Sequence, residues 1–126
     1  THEVKAILDW ELSTLGNPIA DFTYHMMSWR LPAGAKGLGM MGSDLKSLNI
    51  PSENEYAELY YKKTGREKID NWDFYMAYNI FRLAGIAQGI VGRVRDGTAS
   101  SSEAKNYEAF VPILGKLGWS IVEGIK

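Results

Sequence analysis

The chain has 126 residues, of which 45% are hydrophobic and 23% charged, and its formal net charge is −1. This length and composition are typical of one globular domain, and so small a net charge provides no basic field to attract nucleic acid. The absence of cysteine excludes disulfides, thiolate metal sites and a cysteine nucleophile. No apolar run reaches the ~18 residues that span a bilayer, so neither nucleic acid nor a membrane is expected as a partner.

The first predicted element is a short strand over residues 4–8, in which Val4, Ala6 and Leu8 share one face. A strand needs neighbouring strands to be stable, and the sequence starts without Met just before this one. We therefore expect a piece of a longer protein, forming a single partial domain over residues 1–126.

Four helices are predicted after the strand. Asn17 and Pro18 indicate the start of the first, because Asn caps free N–H groups and Pro is favoured at the first helical position. Ser52 and Glu55 form a capping box for the second. The third, with Asp70 as its cap, is apolar on almost all sides and is predicted to be the buried central helix. The expected fold class is mainly α, with one short N-terminal strand and about four helices.

Two glycine patterns occur in the chain. Gly85, Gly89 and Gly92 recur at helical spacing and predict a smooth stripe where another helix approaches closely. The run from Gly37 to Gly42 matches the dinucleotide pattern G-x-G-x-x-G, but such a site needs a strand before it and a helix after it. We favour a flexible surface loop there, with a nucleotide-binding loop as the weaker alternative.

Three acids and one arginine are candidate functional residues. In the simplest interpretation Asp9 caps a turn, Glu11 is solvated and Asp21 favours a helix dipole. In the other, Asp9 is a Mg²⁺ ligand, because Mg²⁺ takes one or two carboxylates and completes its shell with water and phosphate. Arg82 lies within the apolar helix, and we expect it to pair with Asp21 or Glu11, or to contact an anionic substrate.

The segment AILDWELSTLGNPIADF resembles the aminoglycoside phosphotransferase and choline kinase superfamily, small-molecule kinases with a protein-kinase-like fold. Asp-Trp-Glu after a strand, followed by Gly-Asn-Pro-x-x-Asp, matches the family pattern, with Asn17 in place of the usual Asp. The likeness covers about residues 3–97 and is closer to the branch fused to acyl-CoA dehydrogenases or standing alone in bacteria. It implies the later part of the C-terminal lobe of that α+β fold, without the N-terminal lobe and the catalytic loop.

The resemblance also implies a function. The parent protein would be an enzyme that transfers the ATP γ-phosphate to a hydroxyl of a small molecule, and this fragment alone would be inactive. Asp9 would hold Mg²⁺ against the ATP phosphates, Glu11 would contact the metal directly or through water, and Asp21 would brace the site. No catalytic residue would lie within the chain.

Two further expectations accompany this interpretation, and one alternative function is set against it. The resemblance implies a cytoplasmic, bacterial protein. Surface that the missing lobe would cover should be apolar and exposed, which predicts a homodimer. The alternative function, from a different class, is a non-catalytic helical interaction module.

Overall fold

The computed structural model describes residues 3–34 and 38–125 and is mainly helical. The α-helices are α1 (Pro18–Met26), α2 (Glu53–Thr64), α3 (Trp72–Arg95) and α4 (Tyr107–Gly124). Short 3₁₀ turns occupy Trp10–Leu12, Met27–Trp29 and Ser102–Asn106. The predicted mainly α fold is therefore confirmed. None of the helices in the described ranges has the length and apolar character needed to cross a membrane.

Local capping chemistry sets the starts of α1 and α2 as the sequence predicts. The Asn17 side chain accepts a hydrogen bond from the Ile19 amide, with Pro18 at the first helical position. Ser52 and Glu55 form both hydrogen bonds of a capping box. Gly65 ends α2 in the left-handed region, at φ 67°, a conformation that glycine adopts without steric penalty.

The start of α3 differs from the prediction. Its N-cap is Asn71, one residue after Asp70, and the Asn71 side chain makes no capping hydrogen bond. This helix start is instead held by contacts of Trp72 and Asp73 with distant parts of the chain. Such contacts leave no local signature in the sequence.

The core lies where α3 packs along α4 and against α1. Its buried members come from α3 (Met76, Ile80, Leu83, Ala87), from α4 (Phe110, Leu114) and from the end of α1 and the turn after it (Met26, Met27, Leu31). The close approach of α3 and α4 occurs at Gly118, where an added Cβ would lie 3.4 Å from Ile80 Cγ2.

The predicted glycine stripe on α3 does not serve as a helix contact. A Cβ added at Gly85 or Gly92 would meet no atom within 4 Å, and one at Gly89 would meet only the Arg93 side chain. Glycine spacing therefore predicted the close approach on the wrong helix.

Backbone hydrogen bonds hold Leu31 and Ala33 of the connection to α2 against Met41. The Met41 amide donates to the Leu31 carbonyl and the Ala33 amide donates to the Met41 carbonyl, which makes an isolated bridge between Pro32 and Met41. A Cβ on Gly39 would collide with the Leu31 and Pro32 carbonyl oxygens, so only glycine fits there. Gly37, the first residue of the G-x-G-x-x-G match, lies outside the described residues, and no helix starts at Gly42.

Residues 3–8 form no helix or strand. Val4, Ile7 and Leu8 are 86%, 76% and 80% exposed. The short strand predicted for residues 4–8 is thus not assigned, because no described segment pairs with it.

Candidate functional site: an apolar groove between two helices

Asp9, Glu11 and Asp21 are all exposed. Asp9 lies at φ 57°, just before the first 3₁₀ turn, and its carboxylate makes no capping hydrogen bond. Glu11 lies within that turn and Asp21 in the first turn of α1. Within the described ranges none of the three carboxylates forms a hydrogen bond or ion pair, and no group of three or more His, Cys, Asp or Glu side chains is placed to hold a metal.

Arg82 is exposed on α3 and does not pair with Asp21 or Glu11. Its guanidinium lies over the Tyr24 ring, 4.8 Å from the ring centroid, a cation–π contact that is weak at an exposed site. The ion pairs of the described residues involve other cations. The expected pairing is therefore wrong, because this side of α3 faces solvent rather than the core.

The charged cluster that does form is centred on Arg30. Its Nη2 and Nε donate to Glu53 Oε1 at 2.8 and 3.1 Å, and its Nη1 donates to Asp73 Oδ1 at 2.5 Å. Trp72 Nε1 donates to the same Glu53 oxygen at 2.6 Å. We call these four residues the Arg30 cluster. It ties the segment after α1 to the starts of α2 and α3.

The positive charge of Arg30 is paired with the negative charges of Glu53 and Asp73. Burial lowers the pKa of Arg30, but the hydrogen bonds and charges of Glu53 and Asp73 outweigh it and raise that pKa above its ordinary value. Arg30 is therefore a cation wherever the protein is folded. Since its hydrogen bonds go to protein carboxylates, the cluster has a structural role and is not a site for an anion.

An aromatic stack lies beside this cluster. The Phe22 and Tyr60 rings are parallel with centroids 3.7 Å apart, and Tyr56 lies 5.2 Å from Trp29 and 5.4 Å from His25. This stack joins α1 to α2, and exposed His25 packs at its edge against Trp29 and Tyr56.

One buried polar pair lies in the core between α1 and α3. Asn79 Nδ2 donates to Thr23 Oγ1 at 2.9 Å and to the Ala20 carbonyl at 3.0 Å. The Asn79 Oδ1 atom is buried with no donor among the described residues. The amide orientation is nevertheless defined, because the reverse orientation would set Oδ1 against the Ala20 carbonyl oxygen.

An apolar groove of about 640 Å³ lies between α3 and α4. Its floor is formed by Ala77, Leu114 and Gly118, and its walls carry Phe81 and Trp119, which are 77% and 63% exposed. Phe74, Tyr78, Ala84, Gly115, Val122 and Ile125 complete the lining. This volume and apolar character are those of small-molecule sites.

The groove arises because both helices carry apolar residues on more than one face. Phe74, Tyr78 and Phe81 lie on the side of α3 turned away from its buried residues Met76 and Ile80. The sequence signal was present, since α3 is apolar on almost all sides. It was interpreted as complete burial, whereas one apolar side is exposed.

Trp119, one of the lining residues, makes a hydrogen bond at the rim of the groove. Trp119 Nε1 donates to Glu123 Oε1 at 2.9 Å, one turn later on α4. This hydrogen bond satisfies the indole N–H, and the Trp119 side chain lines the groove. No lining residue is charged, so the arrangement suits an apolar ligand.

The chain is similar to proteins that are named as acyl-CoA dehydrogenases. The chain is 42% identical over 118 residues to mouse acyl-CoA dehydrogenase family member 10, covering 93% of this chain and 11% of that protein. It is 34% identical over 116 residues to human acyl-CoA dehydrogenase family member 11, covering 91% of this chain and 15% of that protein. An Arabidopsis thaliana protein also named as an acyl-CoA dehydrogenase is 34% identical over 107 residues, covering 79% of this chain and 13% of that protein. No protein-family model and no solved structure matches the chain.

These names contradict several expectations drawn from the resemblance. All three name acyl-CoA dehydrogenases, which are oxidoreductases, and none names a phosphotransferase. The predicted kinase-like family, phosphoryl transfer and the cofactors Mg²⁺ and ATP are therefore wrong. The relatives come from mouse, human and a plant, so the expected bacterial origin is wrong as well. The helical interaction module gains no support from these names.

The chain spans 11% to 15% of the length of the relatives compared here. The similarity covers at least 79% of the chain, so it includes most of the helical core that builds the groove. The comparisons therefore show this chain to be similar to one segment of these much longer proteins.

Proposed function

We propose that the chain is a segment of a longer acyl-CoA dehydrogenase family protein and that the α3–α4 groove binds the acyl chain of an acyl-CoA. The observation that carries the proposal is the groove itself, an apolar surface with no charged lining residue and with Phe81 and Trp119 exposed. The names of the relatives give the chemical class of the ligand.

The described residues do not form a site for the FAD that these names imply. A helix N-terminus binds a pyrophosphate through free N–H groups and the helix dipole, but each of the four α-helices carries an acidic residue in its first turn. On α2 the Glu55 carboxylate already occupies the Ser52 amide. Any flavin would therefore be held elsewhere in the longer protein, and this segment would contribute to substrate binding.

An acyl chain suits the groove because it needs no hydrogen-bond partner. Burying one methylene group contributes about 0.8 kcal/mol. In an open groove roughly half of each methylene leaves water, so each added methylene should strengthen binding about twofold. The CoA part would lie outside the groove.

Isothermal titration of the chain with butanoyl-, octanoyl- and dodecanoyl-CoA, each below its micelle concentration, tests this proposal. Affinity should rise steadily with acyl length, and free CoA should not bind. Phe81→Ser should weaken dodecanoyl-CoA binding about tenfold. Ile86→Ser is the matched control, because Ile86 is an exposed isoleucine of the same helix, 45% exposed, outside the groove lining.

Two outcomes would overturn the proposal. Affinity that does not change with acyl length would exclude recognition of the chain. Equal loss of affinity in Phe81→Ser and Ile86→Ser would show that binding takes place away from the groove.

A further inference from the structure

The groove between α3 and α4 has two distinguishable ends, because the two helices are antiparallel. A Cβ on Gly118 would lie 3.4 Å from Ile80 Cγ2, and Arg95 Nη2 lies 3.6 Å from Glu108 Oε1. Residue numbers therefore fall along α4 as they rise along α3. The start of α3 lies beside the end of α4, and the end of α3 lies beside the start of α4.

Bulky side chains line the first end of the groove, and small residues line the second. At the first end Phe74 of α3 lies level with Val122 and Ile125 at the end of α4. At the second end Ala84 lies level with Gly115, and a Cβ added at Gly115 would meet no atom within 4 Å. The first end therefore offers more apolar surface to a ligand than the second.

Polar side chains follow the second end along the same face of α3. Gln88 lies four residues after Ala84 and seven after Phe81, a spacing that places all three on one face. Gln88 is exposed, and its side chain makes no hydrogen bond with another described residue. Arg95 lies seven residues further along this face, in an exposed pair with Glu108 that is weak. An amide and then a cation are thus available beyond this end.

The charges beyond the first end are less favourable to an anion. One pocket there is lined by two cations and two acids, which are Arg66, Lys68, Glu67 and Asp70. Glu123, in the last turn of α4, adds a carboxylate that accepts a hydrogen bond from Trp119. The charged residues around the second end balance, with Arg93, Arg95 and Lys105 against Asp96, Glu103 and Glu108. The phosphates of CoA are therefore favoured beyond the second end.

The distances along α3 match the two parts of an acyl-CoA. Phe74 and Ala84 are ten residues apart, about 15 Å of helix. A zigzag carbon chain advances about 1.3 Å per bond, so about twelve carbons fill this length. Ala84 and Arg95 are eleven residues apart, about 16 Å of helix. The pantetheine arm of CoA spans about 17 Å from its sulfur to the first phosphate.

We propose that an acyl-CoA lies in the groove in one direction, with its methyl end at Phe74 and its thioester beside Ala84 and Gly115. Gln88 then donates a hydrogen bond to a carbonyl of the thioester or the pantetheine arm, and Arg95 faces the phosphates. The groove takes acyl chains of up to about twelve carbons. This inference rests on the proposed function, to which it adds the direction of the ligand and the preferred chain length.

A photoreactive ligand tests the direction. Dodecanoyl-CoA with a diazirine at its methyl end should label the 126-residue chain at Phe74, Val122 or Ile125, as read by peptide mass spectrometry. Excess unmodified dodecanoyl-CoA should prevent the labelling. Labelling at Ala84 or Gly115 would reverse the direction and overturn the inference, as would labelling that the unmodified ligand does not reduce.

A matched pair of charge reversals tests the position of the phosphates. Arg95→Glu should weaken dodecanoyl-CoA binding about fivefold at low salt and less at high salt. It should leave binding of dodecanoyl-pantetheine unchanged, because that ligand has no phosphate. Arg66→Glu is the control, since it changes the net charge equally beyond the other end of the groove. A loss in Arg66→Glu as large as that in Arg95→Glu would overturn the inference.

The role of Gln88 and the length limit have their own tests. Gln88→Ala should weaken dodecanoyl-CoA and dodecanoyl-pantetheine alike, by about threefold. Asn54→Ala removes an exposed carboxamide from α2 and should weaken neither. Tetradecanoyl-CoA should bind no more tightly than dodecanoyl-CoA. Equal effects of the two substitutions would remove Gln88 from the site, and a further gain with tetradecanoyl-CoA would contradict the length limit.

The dependence on acyl length separates failure of this inference from failure of the proposed function. If affinity rises from butanoyl- to dodecanoyl-CoA but the methyl end labels Ala84 or Gly115, only the direction is wrong. If affinity does not change with acyl length, the proposed function is wrong, and this inference is wrong with it.

Discussion

Asp73 and Phe74 are neighbours in α3, yet they belong to two opposite kinds of surface. Asp73 joins the Arg30 cluster, in which the guanidinium, the Glu53 carboxylate and the Trp72 indole are all hydrogen-bonded within the chain. Phe74 lines the α3–α4 groove and is 58% exposed. The first surface is complete in this chain. The second is apolar and open to solvent, so it is the surface on which a ligand or a second copy of the chain is expected.

The core that both surfaces share should be the most sensitive to substitution. Ile80→Ala should lower the free energy of unfolding by about 3 kcal/mol, because the side chain is fully buried and leaves a cavity. Urea unfolding measures the change. Ile86→Ala, at a position that is 45% exposed, should change stability by less than about 0.5 kcal/mol, and a larger loss there would contradict the assigned core.

Disrupting the Arg30 cluster should cause the next largest loss of stability. Arg30→Met should lower the free energy of unfolding by about 2 kcal/mol, because Glu53 and Asp73 lose their charged partner in a partly buried site. The control is Arg95→Met, which removes an exposed pair with Glu108 and should change stability by less than about 0.5 kcal/mol. Equal effects by urea unfolding would show that the cluster contributes no more than a surface pair.

Substitutions in the groove should lower stability less than substitutions in the core or in the Arg30 cluster. Trp119→Ala should lower the free energy of unfolding by less than about 1 kcal/mol, because the side chain is 63% exposed. A loss as large as that of Ile80→Ala would mean that the groove wall belongs to the chain's own core, and the comparison between the two surfaces would fail.

The homodimer expected from the sequence stays a prediction, and the groove is the face on which we expect it. Sedimentation equilibrium at high concentration checks it, with Phe81→Ser as the variant that should weaken association. A chain that stays monomeric throughout would contradict it.

The smallest effect should come from the capping box of α2. Hydrogen bonds from the Ser52 side chain and backbone hold the pKa of Glu55 below its ordinary value. Because the pKa is lower in the folded state, this stabilisation is present above the unfolded-state pKa of about 4.3 and is lost as the pH falls through the folded value. Ser52→Ala should therefore raise the pKa of Glu55 in an NMR titration. Ser47→Ala, at an exposed serine bonded to the Asp44 carbonyl, should leave it unchanged.

The sequence predicted those features that depend on near neighbours along the chain. The starts of α1 and α2 follow from Asn17, Pro18, Ser52 and Glu55, since a capping residue acts on amides two or three positions away. Contacts between distant residues could not be predicted in this way. Arg30 meets Glu53 and Asp73 at separations of 23 and 43 residues, and no local pattern distinguishes it from Arg82.

Function was predicted less well than fold. The acids Asp9, Glu11 and Asp21 fitted a family pattern, but the structure leaves them exposed and unpaired among the described residues. The pattern implied phosphoryl transfer, whereas the relatives are named as acyl-CoA dehydrogenase family members. The groove was missed because an apolar helix predicts burial, and the sequence of that helix does not say whether protein or ligand covers it.

Gly39 has a consequence for reading mutational data. Because any side chain there would strike the Leu31 and Pro32 carbonyl oxygens, every substitution should open the connection held at Met41 and score as harmful in a saturation screen. Such a position would be invariant among functional sequences and would look like part of an active site. Its constraint is steric, and a screen for folding alone would recover it as strongly as a screen for activity.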